Sequence, residues 1–202
     1  MLRFAFLPVA GALLAATIPA EAAPPGTLSR APQGETPPAK PAPPASLDEL
    51  YQRLRDADDA AEAKGISKLI ERRLDRSGSA TADLLTERAR QAMAGKDFPL
   101  AAELMDRVTA LEPGWSEGWN RRATIFWLLS DKAAAIADLQ RALVLEPRHF
   151  EAWAALGKIY LSLEDKRRAL DAFRRAAALY PKMEKLQDSI DRLAPDVDGR
   201  DL

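Results

Sequence analysis

The chain has 202 residues, and its 29 Lys and Arg against 30 Asp and Glu leave a formal net charge of −1. That balance excludes a general nucleic-acid binder, which needs a basic excess. There is no cysteine and one histidine, which excludes disulfides, thiolate nucleophiles, Cys-ligated zinc, iron–sulfur clusters and any His-rich metal site, so no metal and no cofactor is expected. An alanine-rich chain that is 47% hydrophobic, 6% aromatic and 29% charged predicts helices.

Arg3 follows the initiating Met1-Leu2, Phe4 to Ile18 is uncharged and mostly apolar, and Ala20-Glu21-Ala22 places small residues around a cleavage point. This predicts a signal peptide over residues 1–22, cut after Ala22, with export to the periplasm of a bacterium. The other reading is a retained membrane anchor. A spanning helix needs about 20 apolar residues, and this run is shorter and carries Pro8. A mature chain with no stable membrane anchor is the expectation. Residues 23–46 hold Pro24, Pro25, Pro32, Pro37, Pro38, Pro41, Pro43 and Pro44 and almost no large apolar side chain. Such a segment cannot bury enough surface to offset its ordering entropy. A Pro-rich disordered linker is predicted, reaching on the order of 70 Å when extended.

Residues 47–78 read as a helix pair. Ser46-Leu47-Asp48-Glu49 is a capping box, and Leu47, Leu50, Tyr51 and Leu54 share one helical face. Asp59-Ala-Ala-Glu62 starts a second helix with Ile66, Leu69, Ile70 and Leu74 inward, and Ser77-Gly78-Ser79 ends it.

From residue 82 a 34-residue period governs the chain. Pro113, Pro147 and Pro181 share it, as do Leu111, Leu145 and Leu179, Ala101, Ala135 and Ala169, Asp97, Asp131 and Asp165, and Arg107, Arg141 and Arg175. Trp119 and Trp153 are also one period apart. Several columns with one interval mean a repeat array. Each period reads as two helices. Trp119, Ala123 and Phe126 lie on one helical face. Asp131 caps the next helix, whose inner face is Ala135, Leu139 and Ala142. Pro147 ends it near Leu145. Alanines at 123, 135 and 142 allow antiparallel helices to approach closely.

The pattern resembles the tetratricopeptide repeat. Residues 150–183 carry it best, with Trp153, Leu156-Gly157, Tyr160, Ala169, Phe173, Ala176 and Pro181. Residues 116–149 keep Trp119, Phe126, Ala135, Leu139, Ala142 and Pro147, with Arg122-Ala123 where Leu-Gly belongs. Residues 82–115 are weaker, with Leu85, Ala89, Ala92, Ala101, Met105, Val108 and Pro113, and with Gly95 suited to a helix C-terminus. The resemblance implies an all-α fold, a right-handed α-solenoid of three helix hairpins. The pair at 47–78 reads as a degenerate repeat closing the first edge. Residues 184–195 read as a C-terminal capping helix, with Met183, Leu186, Ile190 and Leu193 inward; such arrays need one. Pro195 is expected to stop it, leaving a loose acidic tail at 196–202.

No catalytic constellation is legible. There is no Gly-rich phosphate loop and no G-x-S-x-G setting. His149, beside Arg148, reads as a surface turn histidine. Asp196 to Asp201 lacks the closing glutamate of a calcium loop. A non-enzymatic, monomeric scaffold is therefore expected, with a protein or peptide partner. The resemblance implies that the first helix of each hairpin lines a concave face. Carried onto this chain, its groove positions include Glu87, Arg90 and Met93, then Asn120, Arg121, Thr124, Trp127 and Leu128, then Lys158 and Leu161. Trp127 is the expected anchor, since exposed Trp and Arg dominate interface energies, while Trp119 and Trp153 belong to the core. In relatives that grip a C-terminal carboxylate, the clamp positions correspond here to Thr86, Arg90, Arg121, Glu151 and Ala155, of which only Arg90 and Arg121 could serve. Two rival functions are a self-associating envelope component and a hydrolase with two carboxylates roughly 5 to 9.5 Å apart across a cleft.

Overall fold

The computed structural model describes residues 45–199; the expected signal peptide at 1–22, the expected linker as far as residue 44 and residues 200–202 lie outside the described residues. Nine helices form among the described residues: α1 Leu47–Asp56, α2 Ala60–Leu74, α3 Ala80–Ala94, α4 Phe98–Leu111, α5 Ser116–Leu128, α6 Lys132–Leu145, α7 Phe150–Ser162, α8 Lys166–Leu179 and α9 Leu186–Asp198. α3–α4, α5–α6 and α7–α8 pack as hairpins, and each hairpin stacks on the next, with α9 on α8.

The hairpin turns are copies of one another. Lys96, Ser130 and Glu164, one period apart, all sit at φ near +60°. The following amide of Asp97, Asp131 and Asp165 reaches back to the carbonyls of Ala92, Phe126 and Tyr160. Each of those aspartates then caps the next helix, accepting from the amides of Leu100, Ala134 and Arg168. The left-handed residue is Lys96; Gly95, which the sequence pattern favours for the helix end, stays right-handed at φ −76°. The turn therefore places a non-glycine residue in a region that costs it roughly 1 kcal/mol, and the double back-bond and the cap hold it there.

Within each hairpin a small residue on the first helix faces a larger one on the second. A side chain at Gly157 would place its Cβ 2.5 Å from the Phe173 ring. The corresponding pairs one and two periods earlier are Ala123 with Leu139 and Ala89 with Met105, all buried. The junctions repeat as well. The indole Nε1 of Trp119 donates to the Pro113 carbonyl at 3.1 Å, and that of Trp153 to the Pro147 carbonyl at 2.9 Å. The guanidinium groups of Arg141 and Arg175 lie over those two rings. Both tryptophans are thus only partly buried, packed against the core and covered by arginine. Arg122, standing where the repeat carries leucine, forks onto Asp138 with two 2.7 Å bonds and reaches Asp106 and Thr109 at 2.9 Å. A buried carboxylate at 138 satisfies it, which burial of an arginine requires.

The N-terminal pair departs from the expected placement. α1 and α2 do not stack on the first hairpin to close its edge; they form a strap along the junctions of the later repeats. Leu50, Tyr51, Leu54, Ile66 and Ile70 share one buried cluster with Phe150 and Tyr180. Tyr51 meets Phe150 edge-on at 6.5 Å, and Phe150 meets Tyr180 at 5.3 Å. Arg148 pairs with Asp48 and lies over the Tyr51 ring. At the other end the Trp115 indole donates to the Leu74 carbonyl at 2.6 Å, and Arg121 pairs with Asp75. The edge of the first hairpin tolerates this. Gln91 is exposed there, whereas Ile125 and Ile159, one and two periods on, are buried against the preceding repeat.

The last helix also differs. α9 continues through Pro195 to Asp198 rather than stopping at the proline. Proline near a helix end removes a single amide bond. Asp196 and Asp198 then pair with Lys166 and Arg174 on α8. Residues 196–198, expected in the tail, are held as the last turn.

Candidate partner-binding groove

The first helices α3, α5 and α7 line two adjoining recesses. One, of about 420 Å³, is walled by Thr86, Arg90, Met93, Asn120, Arg121 and Thr124, with Glu117 and Glu151. The other, of about 240 Å³, is more apolar and is walled by Ala123, Thr124, Trp127, Leu139, Ala155, Lys158 and Ile159. Thr124 and Ala155 belong to both. Trp127 is 38% exposed, and the ammonium of Lys132 sits 5.9 Å from its ring centre.

The structure brings together most of the predicted groove residues. Arg90, Met93, Asn120, Arg121 and Thr124 share the first recess, and Thr124, Trp127 and Lys158 share the second. Glu87 lines neither and pairs with Arg90 on the same helix. Leu128 is exposed and lines neither. Leu161 borders a separate cavity formed with Lys166 and Val197. Arg121 is committed to structure: it pairs with Asp75 of the strap and bonds Glu117 at 2.8 Å. A third recess, of about 270 Å³, lies between α2 and α5–α7, walled by Glu71, Asp75, Glu117, Arg121 and Glu151.

A polar cluster at this end of the groove was not legible from spacing. His149 is 1% exposed, not a surface histidine, because the strap and the neighbouring hairpin enclose it. Its Nδ1 accepts from the Ala152 amide at 3.4 Å, capping α7, and its Nε2 lies 3.0 Å from Glu117 Oε2. An acceptor Nδ1 puts the proton on Nε2, which donates to the carboxylate. Glu117 also accepts from Asn120 at 3.0 Å and from Arg121. Burial pushes the Glu117 carboxyl up, but the His149 bond and the Arg121 charge outweigh it and hold the group below its ordinary value. Glu151 moves the other way: burial, then the charges of Glu117 and Glu71, raise it.

Glu117, His149 and Glu151 offer three donor atoms within 4.8 Å of one another. A metal on Nε2 would require the proton on Nδ1, facing the Ala152 N–H. The hydrogen bonds therefore suit a proton at this place rather than an ion. The oxygens of Glu117 are engaged by Asn120, Arg121 and His149, as expected of a carboxylate that holds structure.

These opposite shifts have opposite signs in stability. Glu117 contributes stability that is present above the unfolded carboxylate pKa and lost as pH falls through its lower folded value. Glu151 carries a penalty above its raised folded value, relieved as pH falls. Glu117→Gln is expected to cost about 2 kcal/mol at neutral pH, the scale of hydrogen bonds to a charged group, with the cost shrinking in acid. Glu151→Gln is expected to stabilise at neutral pH. Urea unfolding of both variants at neutral and acidic pH measures this.

With this geometry in view, comparison with known proteins settles the family. The tetratricopeptide-repeat family profile matches residues 86–145 and 120–184. Residues 86–184 are tetratricopeptide repeats. A TPR repeat-containing protein of Rhizobium etli is 32% identical over 90 residues, which is 45% of this chain and 44% of that protein. The chain thus spans under half the length of that relative. Among solved structures, the TPR domain of Arabidopsis OM64 is similar with a TM-score of 0.55 at 21% identity, over 58% of this chain and 97% of the domain. MamA is similar with a TM-score of 0.55 at 20% identity, over 75% of this chain and 86% of MamA. The first TPR of Spaghetti (RPAP3), bound to an HSP90 peptide, gives 0.56 at 18% identity over 59% and 95%. At such identities these structures show the tetratricopeptide fold.

Proposed function

We propose that this chain is a non-catalytic interaction module that captures a peptide or helix of a protein partner in its concave groove, and that it works in the bacterial cell envelope. The observation that carries the reading is the pair of adjoining recesses on α3, α5 and α7, where half-exposed Trp127 stands beside Lys158 over an apolar floor. An aromatic anchor next to a cation fits a segment with a large apolar side chain near a carboxylate. The RPAP3 relative of this fold holds a peptide, which supports the same use here. The signal-like residues 1–22 and the Pro-rich residues 23–46 support export followed by a spacer. The strap confines the occupant, because α2 and Arg121 take one end of the groove.

A photo-crosslinking residue at Thr124, which borders both recesses, is expected to capture a partner segment from envelope fractions. One at Val144, exposed on α6, is not. Trp127→Ala is expected to weaken affinity for the captured segment about tenfold or more, the scale of an interface anchor. Equal capture at both positions, or unchanged affinity in Trp127→Ala, counts against the groove.

A further inference from the structure

The strap carries a second surface. Between α1 and α2 lies a recess of about 410 Å³ lined by Leu50 and Leu69 below and by Arg53, Arg72, Arg73 and Arg76 around it, with Ala45 at one wall. No carboxylate lines it. Several arginines elsewhere are neutralised locally: Arg90, Arg107, Arg121, Arg122, Arg148 and Arg174 each pair with an Asp or Glu. Among the described residues the four guanidinium groups of the recess have no such partner. Arg72 donates to the Lys68 carbonyl at 3.3 Å and Arg73 to the Ala45 carbonyl at 2.9 Å. Arg72 also borders the neighbouring recess that carries Glu71 and Asp75; gathering the other guanidinium groups around an apolar floor costs repulsion that an anionic occupant relieves, and guanidinium forks suit carboxylates in particular.

The occupant is a polypeptide by the same geometry. Arg73 already holds a main-chain carbonyl at the wall, where Ala45 enters the extended N-cap residue Ser46. The floor presents Leu69, 38% exposed, to an apolar side chain. We propose that this arginine recess on the α1–α2 strap is a docking site, separate from the concave groove, for an acidic peptide segment that alternates carboxylate and leucine-like side chains.

Binding of fluorescein-labelled Glu-Leu-Glu-Leu-Glu-Leu-Glu to the full chain, followed by fluorescence anisotropy, tests this. Saturable binding that weakens with added salt is expected. Arg53→Gln with Arg76→Gln, two exposed groups outside any hydrogen bond, is expected to weaken it about tenfold or more, while Trp127→Ala in the concave groove leaves it unchanged. Equal affinity in the double variant overturns the proposal, as does loss of binding in Trp127→Ala alone. Anionic phosphatidylglycerol vesicles that bind through the same two arginines, with the peptide unable to compete, would make the recess a membrane contact and overturn the peptide reading.

Discussion

Phe150→Ala is expected to destabilise the protein by about 3–5 kcal/mol, the usual loss for a fully buried phenylalanine, and to release the strap. Phe150 is 2% exposed and stands between Tyr51 of α1 and Tyr180 after α8, edge-on to both. Around it α1 also meets Tyr180 and Arg148, whose guanidinium lies over the Tyr51 ring; the Arg148–Asp48 pair is largely in water and worth under about 1 kcal/mol. With the ring removed, Tyr51 loses its partner and the cluster around Leu50, Leu54 and Ile66 loses its floor. Urea unfolding measures the loss, and proteolysis near Asp58-Asp59 should become fast. Tyr51→Phe is the control, since the Tyr51 hydroxyl is buried without a hydrogen-bond partner and its removal should be nearly neutral. A small cost for Phe150→Ala with an uncut strap would show that the aromatic cluster is not what fastens it.

The second large effect is expected at Gly157. Gly157→Leu should cost about 3 kcal/mol or more, at the upper end of overpacking. The side chain has no room, because the Phe173 ring lies where its Cβ would be and Phe173 is itself buried. The array carries its own remedy. Gly157→Ala combined with Phe173→Leu copies the Ala123–Leu139 pair of the preceding repeat, and is expected to recover to within about 1 kcal/mol of the native chain. Thermal or urea unfolding of the single and double variants decides it. If Gly157→Leu alone folds with native stability, the small-to-large pairing along the array is not what sets the helix spacing.

The groove was partly legible before the structure. Arg90, Met93, Asn120, Arg121, Thr124, Trp127 and Lys158 fall on the first helices at repeat positions, and the two recesses gather them. What spacing could not show is that Arg121 is tied to Asp75, or that His149 is enclosed and caps α7. A residue's repeat position fixes its helix face, but its partners come from whatever packs against that face.

The sequence alone determined the hairpins and their stacking, because the contacts that build them join residues close to one another along the chain. Arg122 meets Asp138 only 16 residues on, and the aspartate caps bond within three residues. Only the tertiary structure decided where α1 and α2 go and how far α9 extends. The strap is joined to the array by Tyr51 against Phe150, 99 residues apart in the chain, and by Leu74 to Trp115, 41 apart. Those contacts occur once, follow no period, and depend on aromatic and charged groups that meet only after the array has formed. An amphipathic stripe says that a helix must be buried on one side. It does not say against what.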